Sequence, residues 1–238
     1  MLSISTTDAL SILDSATLKR SPTSLSSCLT LIDKTAASTW SSDNAFVFLA
    51  AAQTIQRYDP SSNSLREFYC TAEGPISNIL SKDKGSLIFS VGENVHVLDC
   101  GSTTKISQTF DSHNNPITSL SLSNDTSLLS STSAAAAHVH NLSLGSHTVL
   151  RGLPLGGQDI TTSAFHPLLR TRLLLGIGKQ LVVYDITRPS APMKTIALSE
   201  AGSADIAAIA CSPFSKTLVA VATTGGHVAL VDLEKEKG

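Results

Sequence analysis

No Cys-x-x-Cys pair occurs in the 238 residues, and the four cysteines, Cys28, Cys70, Cys100 and Cys211, lie far apart. A zinc knuckle and a dithiol redox motif are thereby excluded. The scattered thiols read as reduced residues buried in strands. Charge is sparse at 15%, and the formal balance is −2. With no basic stripe there is no nucleic-acid footprint. No apolar run approaches the roughly 18 residues that a membrane helix requires. The opening MLSISTTDALSILD has neither a basic start nor a continuous apolar segment, so it is not a secretory signal. A cytoplasmic, non-secreted protein without membrane or nucleic-acid partners is expected.

Catalytic grammar is equally thin. No G-x-S-x-G is present. Gly156-Gly157 and Gly176-Ile-Gly178 have no following helix to make a phosphate cradle. No pair of carboxylates sits at a strand end beside a plausible pocket. The reading is therefore of a non-enzyme with no cofactor, no metal and no catalytic residue.

What the chain does have is a repeat, and a repeat decides the architecture. The turn after the first strand of each unit reads WSSD from Trp40, LSKD from Leu80, LSND from Leu122, FHPL from Phe165 and CSPF from Cys211. Successive spacings are 40, 42, 43 and 46 residues. An apolar strand follows each turn: Phe46–Ala50, Leu87–Val91, Leu128–Ser131, Leu173–Ile177 and Leu218–Ala222. A third strand then closes on Asp14, Asp59, Asp99, Asn141, Asp185 and Asp232, spaced 45, 40, 42, 44 and 47 apart. More polar segments, Leu65–Cys70, Ile106–Phe110, Thr148–Gly152 and Met193–Leu198, fit a half-exposed fourth strand. Ile160–Asp185 is the best-formed unit.

Each such sheet has two faces and cannot bury both alone. Neighbours must cover them, which explains continuous apolar runs such as LLLGIG and LVVYD. The closing Asp or Asn starts a tight turn and bonds its own backbone. The expected fold is all-β, a β-propeller of about six recognisable blades of four antiparallel strands over residues 1–233, with a polar tail at 234–238. Leu2–Ser5 and Leu10–Leu13 supply the second and third strands of a first blade, and Leu25–Ile32 the fourth. The last blade holds only three strands, so the propeller is incomplete or belongs to a seven-bladed ring, and the chain reads as the N-terminal piece of a longer protein.

The period and strand count resemble the WD40-repeat β-propeller family over nearly the whole chain. None of the six third-strand ends holds the family's Trp. Asp111-Ser-His113 matches the family's Gly-His, which implies a structural role for His113, joined to a strand hydroxyl. The closing residues Asp14, Asp59, Asp99, Asn141, Asp185 and Asp232 are structural blade positions. His138 and His140, two apart on one strand, read as a blade-face pair or a substitute for the missing Trp rather than as zinc ligands. His166 and His227 read as solvent-facing.

The segment TFDSHNNPITSLSLSNDTSLLSSTSAAAAHVHNLS, followed by LRGLPLGGQDITTSAFHPLLRTRLLLGIGKQLVVYD, is similar in order and spacing to the WD-repeat adaptors that target the γ-tubulin ring complex to centrosomes and spindles. That resemblance implies a localisation or docking module, with spindle or γ-tubulin-complex components as partners and the spindle pole as its place. Arg170 and Arg172 in HPLLRTR, and Arg188 in DITRPSAP, are the candidate protein contacts, because charged loop side chains on a rigid scaffold carry recognition. DITRPSAP also resembles the Asp-x-Arg region of ubiquitin-ligase receptors, the alternative function, with the Arg one residue late. Ser21 in KRSPTS is the candidate phosphorylation site.

Overall fold

The computed structural model describes residues 2–6, 9–13, 35–198 and 204–235. Asp14, Ser21, Cys28 and the expected strand Leu25–Ile32 lie outside them. The chain divides into two compact units, Met1–Thr109 and Phe110–Gly238.

The fold is all-β and propeller-like, built from antiparallel blades. In the first unit β1 (Leu2–Thr6) and β2 (Ala9–Leu13) form a hairpin, blade I. Blade II follows as β3 (Thr35–Trp40), β4 (Val47–Ala51), β5 (Thr54–Asp59) and β6 (Ser64–Cys70). Blade III is β7 (Ile76–Asp83), β8 (Ser86–Val91), β9 (Asn94–Asp99) and β10 (Lys105–Phe110).

In the second unit blade IV is β11 (Ile117–Leu122), β12 (Leu128–Ser133), β13 (Ala137–Asn141) and β14 (Ser146–Val149). Blade V is β15 (Ile160–Phe165), β16 (Arg172–Ile177), β17 (Gln180–Asp185) and β18 (Lys194–Ala197). Blade VI has three described strands, β19 (Ile206–Cys211), β20 (Leu218–Thr223) and β21 (Val228–Asp232). Strands pair in sequence order within every blade. The outer strand of blade IV is shorter and earlier than Thr148–Gly152. Leu150 already gives its N–H to the Ala137 carbonyl at 2.9 Å, and Gly152 turns left-handed at φ 66.

Burial follows the pattern of two-sided sheets. The second strands β4, β8 and β16 are buried almost throughout, whereas β14 is wholly exposed and β18 alternates. Each first strand carries a register shift near its start, at Thr35/Ala37, Ile76/Asn78, Ile117/Ser119, Ile160/Thr162 and Ile206/Ala208. Such a bulge sharpens local twist. The isoleucines opening β7, β15 and β19 are buried, and each donates its backbone N–H to the β-turn of the preceding blade: Ile76 to Ala52 at 2.7 Å, Ile160 to Ala134 at 2.9 Å and Ile206 to Gly178 at 2.7 Å. Blade V thereby presses against blade VI, and Leu174, Leu181 and Val183 pack with Ile206, Val219 and Val221.

The turns between first and second strands are held by hydroxyl hooks. Ser41 and Ser123 each donate to an Asp two residues on, Asp43 and Asp125, at 2.7 Å, and each accepts a backbone N–H five residues on at 2.9 Å. Turns after the third strand use the closing carboxylate or amide. The Oδ1 atoms of Asp59, Asp99, Asn141, Asp185 and Asp232 accept the N–H of Ser61, Gly101, Ser143, Thr187 and Glu234 at 2.8, 3.0, 3.0, 3.1 and 3.0 Å. The Ser61 hydroxyl holds the Asp59 carboxyl down to about 2, with Ser62 and backbone donors adding to it.

At Gly176 blades V and VI approach closely. A Cβ there would meet Ile206 Cγ2 at 2.7 Å and Thr162 Cγ2 at 2.8 Å. Gly176→Ala is expected to destabilise the fold by about 1–3 kcal/mol through overpacking. Urea unfolding followed by circular dichroism reads this directly, and an unchanged midpoint would show that the two blades are free to part.

Candidate functional site at the turn end of the second unit

In blade V, Arg172 pairs in register with Asp185, so the β15–β16 and β17–β18 turns share one end of the sheet. The backbone bond from Ile186 N–H to Thr171 O, at 2.9 Å, fastens them together. The structure therefore brings Arg170, Arg172 and Arg188 to one edge. Arg151 joins them from the preceding connection, with its N–H on the Pro189 carbonyl at 2.7 Å and its own carbonyl receiving the buried Tyr184 hydroxyl at 2.7 Å.

The three predicted arginines play different parts. Arg170 reaches back to blade IV, with Nε 2.7 Å from Asp125 Oδ2 and Nη2 donating to Ser127 Oγ at 3.3 Å. Its side chain is still 69% exposed. It is both an inter-blade staple and a surface cation; an ion pair this open contributes about 0–1 kcal/mol. The Ser123 and Ser127 hydroxyls hold the Asp125 carboxyl down to about 2, and the Arg170 charge adds to this. Arg188 lies 3.5 Å from Asp185 Oδ2 with its side chain 76% exposed, so its guanidinium is presented to solvent. Arg172 is half-buried, with its Nε buried and without a hydrogen-bond partner among the described residues.

His166 is not solvent-facing. It is 1% exposed, and its Nδ1 accepts the Leu168 N–H at 3.1 Å. It stands where Ser41 and Ser123 stand in blades II and IV, so an imidazole replaces the hydroxyl as the turn's acceptor. Burial lowers its pKa, and the Arg172 charge lowers it further. Around this turn end Leu168 is 44% exposed, and Phe214, in the corresponding turn of blade VI, is 94% exposed. His227 is exposed, as read from the sequence. The cysteine reading needs correction at Cys70, which is exposed; Cys100 and Cys211 are half-buried, and burial raises both thiols to about 11.

A second cluster lies inside blade IV. His113 Nε2 is 2.7 Å from Ser131 Oγ and its Nδ1 is 3.0 Å from Ser133 Oγ; Ser131 Oγ is also 2.6 Å from His140 Nε2. One hydroxyl thus bridges two imidazoles, donating to one and accepting from the other. The His113 ring stacks on His138 at 4.2 Å, and His138 stacks on His147 at 5.1 Å. Stacked rings aim their lone pairs aside rather than at a common point. Among the described residues no group of three or more His, Cys, Asp or Glu is arranged to hold a metal ion. His147 had no signal in the repeat; its place follows from pairing opposite His140.

A scan against protein-family models finds no match to this chain, and a search of curated proteins finds none either.

Burial pushes His113 and His138 down to about 4 and His140 down to about 3, with neighbouring imidazoles pushing the same way. Unfolded, each would titrate near its ordinary value of about 6.5. Stability is therefore full above that value and falls as pH drops from about 6.5 toward 4, by on the order of 1 kcal/mol per imidazole at pH 5.5. Asp59 and Asp125 contribute their loss only below about pH 4, because their folded values lie lower still. Urea midpoints at pH 7.5, 6.5, 5.5 and 4.5 test this. A flat profile down to pH 4.5 would mean that the imidazoles do not stay buried and neutral.

Proposed function

We propose that the chain is a non-enzymatic protein-interaction scaffold of the WD40-repeat type, and that it serves as the docking module of a mitotic spindle or centrosome adaptor for the γ-tubulin complex. The observation that carries the scaffold reading is the turn end of blade V. Arg151, Arg170 and Arg188 stand on a stiff sheet beside exposed Leu168 and Phe214, and rigid display of charge next to apolar anchors is what protein recognition uses. The network linking His113, Ser131 and His140 supports the family assignment, since a strand hydroxyl receives the histidine that precedes the blade, and His140 stands at the third-strand place of the family's Trp. The spindle assignment rests on the resemblance of the middle blades.

Arg188 also favours a second reading as a ubiquitin-ligase substrate receptor, because its side chain is 76% exposed at the head of a proline-containing loop, 3.5 Å from Asp185.

Fluorescently tagged protein should concentrate at spindle poles in dividing cells. Arg170→Glu with Arg188→Glu and Phe214→Ala should disperse it while shifting stability by less than about 1 kcal/mol, since all three are surface changes. Diffuse wild-type signal throughout mitosis would sink the spindle assignment. Recovery of a ligase adaptor that depends on Arg188 would transfer the scaffold to the second reading.

A further inference from the structure

The first unit holds a cleft to which the repeat pattern assigns nothing. It measures about 90 Å³ and opens between blades II and III, with Asp43, Phe46, Arg57, Phe68 and Lys84 on its walls. The Arg57 guanidinium lies 4.7 Å from the Phe46 ring centre and 5.6 Å from that of Phe68. Phe48, directly opposite Arg57 in register, tilts against Phe68 at 5.3 Å. Aromatic walls hold the guanidinium by cation–π attraction and leave its edge donors unused.

The charges around it are unbalanced in a specific way. Arg66 pairs opposite Arg57 across β5 and β6, so the two cations share one face of the sheet. Among the described residues neither these arginines nor Lys84 has a carboxylate within 4.0 Å. The two acids lining the cleft are already used. Asp43 Oδ1 accepts the Ser41 hydroxyl at 2.7 Å and the Ala45 N–H at 3.2 Å. Asp83 Oδ1 accepts the Gly85 N–H at 2.8 Å, and its Oδ2 lies 4.0 Å from Lys82. A like-charged pair in a sheet is unfavourable unless something neutralises it.

We propose that this cleft is a binding site for a carboxylate side chain of an acidic peptide, received by the Arg57 guanidinium. A planar carboxylate matches the guanidinium fork with two parallel bonds. The cleft admits a group of that size and not a larger body. Asp43 beside it disfavours a dianion, which selects carboxylate over phosphate. A second hollow of about 400 Å³, bounded by Asn44, Ala45, Phe46, Asp59, Pro60 and Ser61, shares the Phe46 wall and gives the peptide backbone a continuing path. The site is independent of the arginine edge of the second unit.

The test is a titration of the full chain, isotope-labelled at arginine, reading the Arg57 Nε–Hε signal by NMR at fixed ionic strength. The probes are a hexaglutamate peptide, sodium acetate and inorganic phosphate. Saturable movement with the peptide, and weaker movement with acetate, is expected. Isothermal titration calorimetry reads the variants: Arg57→Lys should keep the fold and weaken the peptide by about tenfold, because a lysine cannot make the two-bond contact. Arg57→Ala should abolish peptide binding. An unmoved Arg57 signal, peptide binding that survives in Arg57→Lys undiminished, or phosphate binding more tightly than the peptide would each overturn the proposal.

Discussion

The structure depends on one repeated join: the first N–H of a blade, on a buried isoleucine, bonds the turn carbonyl of the blade before it. Ile76 does this to Ala52, Ile160 to Ala134 and Ile206 to Gly178. The isoleucine side chain is the first apolar group to enter the gap between two sheets, so the hydrogen bond and the burial act at one point. An unpaired N–H there would cost about 1–3 kcal/mol. The receiving turns are built for close approach. Ala52 and Gly178 sit at φ 48 and 52, which turns their carbonyls outward. Gly176 carries no side chain where Ile206 must fit. The bulge that follows each first residue then twists the strand so that the rest of the sheet can lie over its neighbour.

With packing settled by those joins, the turns are left free for other work, and the chain fills them with short polar side chains. Ser41, Ser123 and His166 hold the first turn of three blades; Asp59, Asp99, Asn141, Asp185 and Asp232 hold the later turn of five. These bonds are local and engage the Oδ1 atoms of Asp125 and Asp185, which leaves each Oδ2 for a nearby cation. Arg170 and Arg188 take those atoms while keeping most of their side-chain surface in water.

Much of this was legible from spacing. Four of the five turn landmarks and the described closing residues fall on observed strand ends, because a two-sided sheet demands unbroken apolar strands between polar turns; LSKD does not, since β7 runs on through Asp83. Boundaries failed where a backbone bond, not hydrophobicity, ended a strand. Leu150 is apolar and buried and still bonds Ala137 in register, but the Arg151 N–H leaves for Pro189 and Gly152 turns left-handed, so β14 stops at Val149. His166 was misread because a histidine before proline looks like a surface turn; only the three-dimensional repeat shows it in the place of a serine hook. Arg170 was legible as a loop cation, but its bond to Asp125 joins residues 45 positions apart and left no local trace. The Arg57 cleft was invisible for a similar reason. Its walls come from two blades, and the even spacing of Phe46, Arg57 and Phe68 matches neither the strand period nor the blade period.

Two kinds of open surface remain on the second unit, and physics separates them. Val228 and Leu230 of β21 are 71% and 72% exposed, although their counterparts Leu181 and Val183 in blade V are at most 1% exposed beneath blade VI. After β21, Asp232 holds Glu234, and Leu233 gives its N–H to Thr217 as Ile186 does to Thr171. Apolar side chains on an open strand edge are costly in water and prone to association, so this face belongs to packing. The guanidiniums of Arg170 and Arg188 at the turn end carry no such cost, since their charges are exposed to water. A surface that is stable while open is able to wait for a partner, and that property, rather than exposure alone, is what the proposed recognition surface at the arginine edge requires.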